Sequence, residues 1–207
     1  MPLLFIFDMD DVLVDYDWRV RMAALEAATG LSLAELRRRW WTPDGEFRAE
    51  AGGFDGPDDY LAAFRAAIGV ELPEAEWVRI RGSAMRPRPA MLAAAARAAE
   101  LGTITLLTNN GPLAGRHLGT LAPEVAELFG EHAFTSSHYG ARKPDPVVYE
   151  RVLERYGVTA DDAFFADDLP DNIASARALG ITSHHVLGDH PDALLDAIES
   201  FAAARAA

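Results

Sequence analysis

The stretch LLFIFDMDDVLVDYD, residues 3–17, sets five apolar residues, Leu3 to Phe7, directly against Asp8, Asp10 and Asp11. A short apolar run bounded by polar residues reads as a strand buried on both faces, as at the centre of a parallel sheet. Acids clustered at its end repel one another, and burying them is costly unless a cation sits among them. The stretch therefore predicts a central strand and, at its carboxyl end, a charged site.

Four further runs have the same character: TITLL (103–107), HAFT (132–135), AFFA (163–166) and TSHHV (182–186). Helical segments separate the later ones. PAMLAAAARAAELG (89–102) is an alanine-rich helix stopped by glycine, PDPVVYERVLERYG (144–157) opens on prolines suited to a first turn, and DNIASARALG (171–180) runs from an acidic start to a glycine. Alternating strands and helices predict the α/β class, a doubly wound, mostly parallel sheet covered on both faces. Residues 15–86 break the alternation. The segments 17–30, 32–41, 57–69 and 73–85 all carry helical patterns and no strand is expected among them. The economical organisation is a core of residues 1–14 and 87–207 with a helical insert, 15–86, and MRPRPA (85–90) as the return hinge. The tail AAARAA (202–207) reads as frayed.

The chain has 207 residues, half of them hydrophobic, with a formal net charge of −13 and no cysteine. Disulfides, thiol catalysis and thiolate metal sites are excluded. Acidity on this scale argues against a phosphate-backbone binder. No apolar stretch approaches the ~20 residues of a membrane span, and the N-terminal run is too short, and lacks the basic start, for a signal peptide. A cytoplasmic protein is expected. Of the 19 basic residues only Lys143 is lysine, which suggests either a position wanting a compact ammonium that arginine does not replace or chance in a composition biased toward arginine.

In doubly wound sheets ligands bind at the carboxyl ends of the strands. The first run ends into Asp8 and Asp10, the second into Thr108, Asn109 and Asn110. The third ends into Ser136 and Ser137 with Lys143 soon after, and the fourth into Asp167, Asp168, Asp171 and Asn172. Any one of these groups is a common turn or cap residue; four on one edge point to a site. Carboxylates from two strand ends, without a His or Cys cluster, form a hard oxygen site suited to Mg²⁺. With Lys143, Thr108 and Asn109 such an ion would hold a tetrahedral anion beside an attacking carboxylate.

Placed in order, these segments closely resemble the haloacid dehalogenase superfamily of phosphohydrolases, over most of the chain. FDMDDVLVD is similar to the family's first motif, LLTNN to its second, RKPDPVVYE to its third and FFADDLPDNIASARALG to its fourth. The helical insert is similar to the family's small α-helical cap. The resemblance implies a phosphatase acting on a small phosphorylated metabolite such as a sugar phosphate. Asp8 would be the nucleophile and a Mg²⁺ ligand, and Asp10 the acid and base with its carbonyl on the metal. Thr108 and Asn109 would hold the phosphoryl group, Lys143 would pair with Asp8 and the phosphate, and Asp167 and Asp168 would complete the metal site. Asp11 departs from the pattern, since many members have glycine there; it is expected to point away or cap the turn.

Other features carry less. RRRWW (37–41) is read as a solvated arginine face with core tryptophans. His184 and His185 alternate faces at a strand end, His138 and Tyr139 lie near Lys143 in sequence, and Asp171 and Asn172 are expected to cap a helix and tie the loop holding Asp168. The superfamily's dehalogenase branch needs neither Asp10 nor the paired acids, and a phosphomutase needs a cap able to re-present its intermediate. A signalling receiver domain shares the acids, Thr and Lys, but has a different motif order and no helical insert.

Overall fold

The computed structural model describes residues 3–206. In chain order the strands are β1 (Leu4–Phe7), β2 (Val14–Tyr16), β3 (Met85–Pro87), β4 (Thr103–Thr108), β5 (Ala133–Thr135), β6 (Ala163–Asp167) and β7 (Thr182–His185). The helices are α1 (Trp18–Thr29), α2 (Leu33–Arg39), α3 (Glu46–Glu50), α4 (Pro57–Ile68), α5 (Glu74–Ser83), α6 (Pro89–Leu101), α7 (Pro112–Arg116), α8 (Leu118–Leu121), α9 (Pro123–Phe129), α10 (Pro146–Tyr156), α11 (Pro170–Ala178) and α12 (Pro191–Ala206).

The main sheet has the order β5-β4-β1-β6-β7 and every pairing in it is parallel. The apolar runs are unbroken because each face of the sheet has its own core. Phe5, Phe7, Phe164 and Ala166 point to one side, where they join Met91, Ala95 and Ala98 of α6 and Leu194, Ile198 and Phe201 of α12. Leu4, Ile6 and Phe165 point to the other, against Val148, Tyr149 and Val152 of α10 and Ile173 and Ala176 of α11. The fold is thus a Rossmann-like sheet between two helical layers.

Strand order decides where the site lies. The chain moves from β1 outward through β4 to β5, then returns to place β6 on the other side of β1. The crevice between β1 and β6 is the topological switch point, where the two connections diverge and leave the strand ends open. The register pairs Phe7 with Ala166, and the ladder continues as Asp8 N–H donates to Ala166 O at 3.0 Å. Asp8 and Asp167 therefore emerge side by side.

Two strands go beyond the sequence expectation. β2 and β3 form an antiparallel ribbon, pairing Val14 with Pro87, Asp15 with Arg86 and Tyr16 with Met85. At three residues each, with Asp, Arg and Pro among them, they carry no alternation to read. The ribbon joins the stem of α1–α5 to the sheet. Other differences are smaller. His132 lies in a 3₁₀ turn before β5, Asp167 is the last residue of its strand, and the alanine-rich tail continues α12 to Ala206 instead of fraying. The ends of the expected core, residues 1–2 and 207, lie outside the described residues. Asp11 has a left-handed backbone, φ 59°, and its Oδ1 accepts the Tyr16 N–H at 3.1 Å. Aspartate tolerates this conformation better than most side chains, so it takes the place of glycine while capping the turn.

Candidate active site

Lys143, 1 % exposed, sits between two carboxylates, with Nζ 2.9 Å from Asp8 Oδ1 and 2.7 Å from Asp167 Oδ2. Its backbone is held from the end of β4: Asn109 Nδ2 donates to Lys143 O at 2.8 Å, and Lys143 N–H donates to Asn109 Oδ1 at 2.9 Å. Asn109 thereby fixes the loop that delivers Lys143, while its Nδ2 keeps a second N–H and the residue lines the cavity beside the site.

Asp8 is oriented through one oxygen. Oδ1 accepts the Met9 N–H at 2.7 Å and faces Lys143, which leaves Oδ2 as the free oxygen. Burial pushes the Asp8 carboxyl well above the ordinary range; Lys143 opposes that shift and Asp167 adds to it. Thr108, at the end of β4, is buried. Its Oγ1 accepts Asn110 Nδ2 at 2.8 Å, so its hydroxyl proton remains for donation.

The acid pair divides its work. Asp167 is fully buried and its oxygens accept from Lys143 Nζ, Leu169 N–H at 2.8 Å and Asn172 Nδ2 at 2.9 and 3.1 Å. Asn172 thereby ties the loop that carries Asp168 back to Asp167, as expected, but no side chain caps α11. Asp168 is more open, and its carboxyl is raised to about 6, first by burial and then by the neighbouring charge of Asp167.

Asp8, Asp167 and Asp168 each bring a carboxylate oxygen within 4.8 Å of the others. Three carboxylates meet one ammonium there, and a divalent cation would cancel the remaining imbalance. All donors are hard oxygens and Asp168 keeps its carboxylate free of the bonds that hold Asp167, so the residues present fit Mg²⁺.

Asp10 meets a partner that the sequence did not reveal. Its Oδ2 pairs with Arg81 Nη2 of α5 at 2.8 Å, while Oδ1 is buried without a partner. Beyond it opens a cavity of about 260 Å³ lined in part by Asp10, Asn109, Asn110, Arg21, Arg81 and Trp41. The helical insert supplies most of that wall. Within RRRWW, Trp40 packs in the aromatic core with Tyr60 and Phe64, as expected, but Arg37 and Trp41 line the cavity. His138 stacks on Phe134 away from it, and Tyr139 is buried in the α10 core. His185 Nε2 contacts Asp168 O at 2.8 Å, so one of the paired histidines supports the acid loop.

Glu50 also lines the cavity. Burial, reinforced by Glu46, raises its carboxyl to about 7, against the pull of Arg142 at 2.6 Å. Arg142 is a third exposed, so solvent screens the attraction. An acid whose pKa is higher folded than unfolded holds its proton more tightly in the folded state. Its contribution is therefore most favourable below the ordinary value near 4.5 and is lost as pH rises through 7. Glu50→Gln is expected to remove up to about 3 kcal/mol of this pH dependence. Urea unfolding at pH 5 and pH 8 measures it, and equal pH slopes in the two proteins would contradict it.

A model of the haloacid dehalogenase-like hydrolases matches residues 3–180. Among curated proteins, a phosphatase of Mycobacterium tuberculosis is 28 % identical over 190 residues, covering 87 % of this chain and 85 % of that one. Among solved structures, a HAD family enzyme of Bacteroides thetaiotaomicron in complex with magnesium and inorganic phosphate superposes with a TM-score of 0.77 at 20 % identity, covering 92 % of this chain and 96 % of the other. The L-2-haloacid dehalogenase of Xanthobacter autotrophicus gives 0.60 at 20 % identity, with 90 % and 78 % covered. Among the described residues no helix is long and apolar enough to cross a membrane. With the family match extending from the first strand through the helix after the acid pair, the chain belongs to the haloacid dehalogenase-like hydrolases.

Proposed function

We propose that the protein is a Mg²⁺-dependent phosphomonoester hydrolase acting on a small phosphorylated metabolite, with residues 15–86 serving as its cap. The observation that carries this reading is the constellation at the switch point: a buried Asp8 with one oxygen fixed and one free, Lys143 against it, Thr108 beside it and Asp10 on the next turn. Asp8, Asp168 and the Asp10 carbonyl would hold Mg²⁺, which would supply the positive charge that lets a carboxylate approach a phosphate dianion.

The chain's own groups do the rest. Asp8 Oδ2 attacks phosphorus as the bond to the ester oxygen breaks, giving an aspartyl-phosphate. Asp10 in its acid form gives its proton to the departing alkoxide, and then takes one from the water that hydrolyses the intermediate. Each turnover converts ester and water to alcohol and phosphate and restores both carboxyls. Lys143 and the Thr108 hydroxyl hold the phosphoryl oxygens, and Asn109 keeps Lys143 in register.

The dehalogenase neighbours share the fold, but an Asp8–Asp167–Asp168 cluster open to a cation has no use in metal-free displacement of halide. p-Nitrophenyl phosphate should be hydrolysed with Mg²⁺ and lose nearly all turnover when EDTA removes it. Failure on a broad panel of phosphate esters, with release of chloride from 2-chloropropionate, overturns the reading. A panel including glucose 1-phosphate and glucose 6-phosphate separates hydrolysis from mutase chemistry, since only a mutase interconverts them.

A further inference from the structure

Arg21 of α1 is 4 % exposed, yet among the described residues no carboxylate comes within the 4.0 Å of an ion pair with it. Its Nη1 donates to the Tyr16 hydroxyl at 3.0 Å, and its guanidinium lies over the rings of Trp41 and Trp77 at 5.4 and 5.5 Å. The same Tyr16 oxygen lies 3.3 Å from Arg81 Nη1, so two buried cations share one neutral acceptor. Arg81 has Asp10 in direct contact; Arg21 has no direct ion pair and feels only the longer-range charge of the buried Glu46. The nearby acids are held at a distance from it: Glu46 Oε2 accepts from Trp40 and Tyr60, and Glu50 is paired with Arg142.

A buried cation without a directly contacting anion is only partly compensated. A site tolerates it where an anion arrives to complete it. Arg21 lines the 260 Å³ cavity together with Arg37, which covers Trp18 at 5.0 Å, with Glu46 and Glu50, and with Asp10, Asn109 and Asn110 from the strand edge. The cavity is below the ~300–1,000 Å³ usual for drug-sized ligands, so one small molecule would touch both the strand edge and Arg21. The contacts with two indoles and the bond to Tyr16 restrict the guanidinium, and a restrained fork suits the paired oxygens of a carboxylate or phosphate.

We propose that Arg21, with Arg37 nearer solvent, binds a second anionic group on the leaving-group side of the substrate. The protein accordingly takes phosphate monoesters whose alcohol carries a carboxylate or a further phosphate. This inference rests on the phosphatase reading for the identity of the reacting end, but the anion site itself does not require turnover.

The test is equilibrium binding to the Asp8→Asn protein with Mg²⁺, by calorimetry, for two matched pairs. 3-Phosphoglycerate against glycerol 3-phosphate asks for a carboxylate; propane-1,3-diol bisphosphate against its monophosphate asks for a second phosphate. In at least one pair the charged member should bind about tenfold tighter or better, the worth of one charge-assisted hydrogen bond. Which pair shows it identifies the anion. That ratio should collapse toward unity when Arg21→Met is added and be largely retained with Arg21→Lys. Should Arg21→Met fail to fold, Arg37→Met is expected to reduce the ratio by a smaller factor. Absence of preference in both pairs, or a preference that survives Arg21→Met, overturns the inference; if only Arg37→Met can be read, an unchanged ratio does so. Turnover of p-nitrophenyl phosphate by the wild type separates the two readings. A protein that hydrolyses it without preferring charged partners keeps the phosphatase and loses the anion site. One that hydrolyses no ester but shows the Arg21-dependent preference does the reverse.

Discussion

Lys143→Met is expected to abolish turnover and to cost about 3–5 kcal/mol of stability, the usual penalty for removing one partner of a buried charge pair. The ammonium lies between Asp8 Oδ1 and Asp167 Oδ2 at 2.9 and 2.7 Å, and both acids belong to adjacent strands whose register holds them together. Methionine matches the volume of lysine but leaves two buried carboxylates facing each other, with Asp168 close by. Lys143→Arg is not expected to rescue function. The position is 1 % exposed and its backbone is clamped by Asn109, so there is no slack to seat a planar guanidinium. Added Mg²⁺ should recover part of the lost stability, because it brings positive charge to the same carboxylates and binds only when they are assembled. Urea unfolding with and without Mg²⁺ measures both effects. A Lys143→Met protein as stable as wild type in EDTA would show that the acids do not depend on the ammonium.

Much of this arrangement was legible in the chain because the physics that forms it is local. A strand buried on both faces must be apolar throughout, so Leu4–Phe7, Thr103–Thr108 and Ala163–Asp167 could be found as runs, and acids at their ends could be placed on one edge. Lys143 stood out as the single lysine. What could not be read depends on tertiary orientation. Arg81 looks no different in sequence from Arg79, yet one is buried on Asp10 and the other lies exposed on Glu76. Arg21 and Arg19 differ in the same way: Arg21 faces Trp41 and Trp77, while Arg19 lies over Trp18. Asn109 and Asn110 are adjacent, and only the folded loop assigns the first to Lys143 and the second to Thr108. The β2–β3 ribbon is set by the return of the chain from α5, and three residues of Val, Asp and Tyr carry no trace of it.

Asp8→Asn should separate chemistry from folding. Turnover is expected to fall at least ~10⁴-fold, because a neutral amide cannot form the aspartyl-phosphate on which both half-reactions depend. Stability should stay level or rise. Asp8 is 7 % exposed, and burial holds its carboxyl well above the ordinary range despite Lys143, so keeping it ionised at neutral pH disfavours the folded state. Asparagine has nearly the same shape without the charge. Its Oδ1 can still accept the Met9 N–H that Asp8 accepts at 2.7 Å, and Lys143 keeps Asp167 at 2.7 Å. For a chain of this length each kcal/mol moves Tm by about 2–4 °C, and a rise of that order is expected in EDTA. The gain should shrink or reverse in Mg²⁺, which stabilises more strongly the protein whose Asp8 can contribute an anionic ligand. An inactive variant that melts well below wild type in EDTA would mean that Asp8 is an ionic strut of the fold, held in place by Lys143 and indispensable to packing, so that its loss of activity says nothing about a nucleophile.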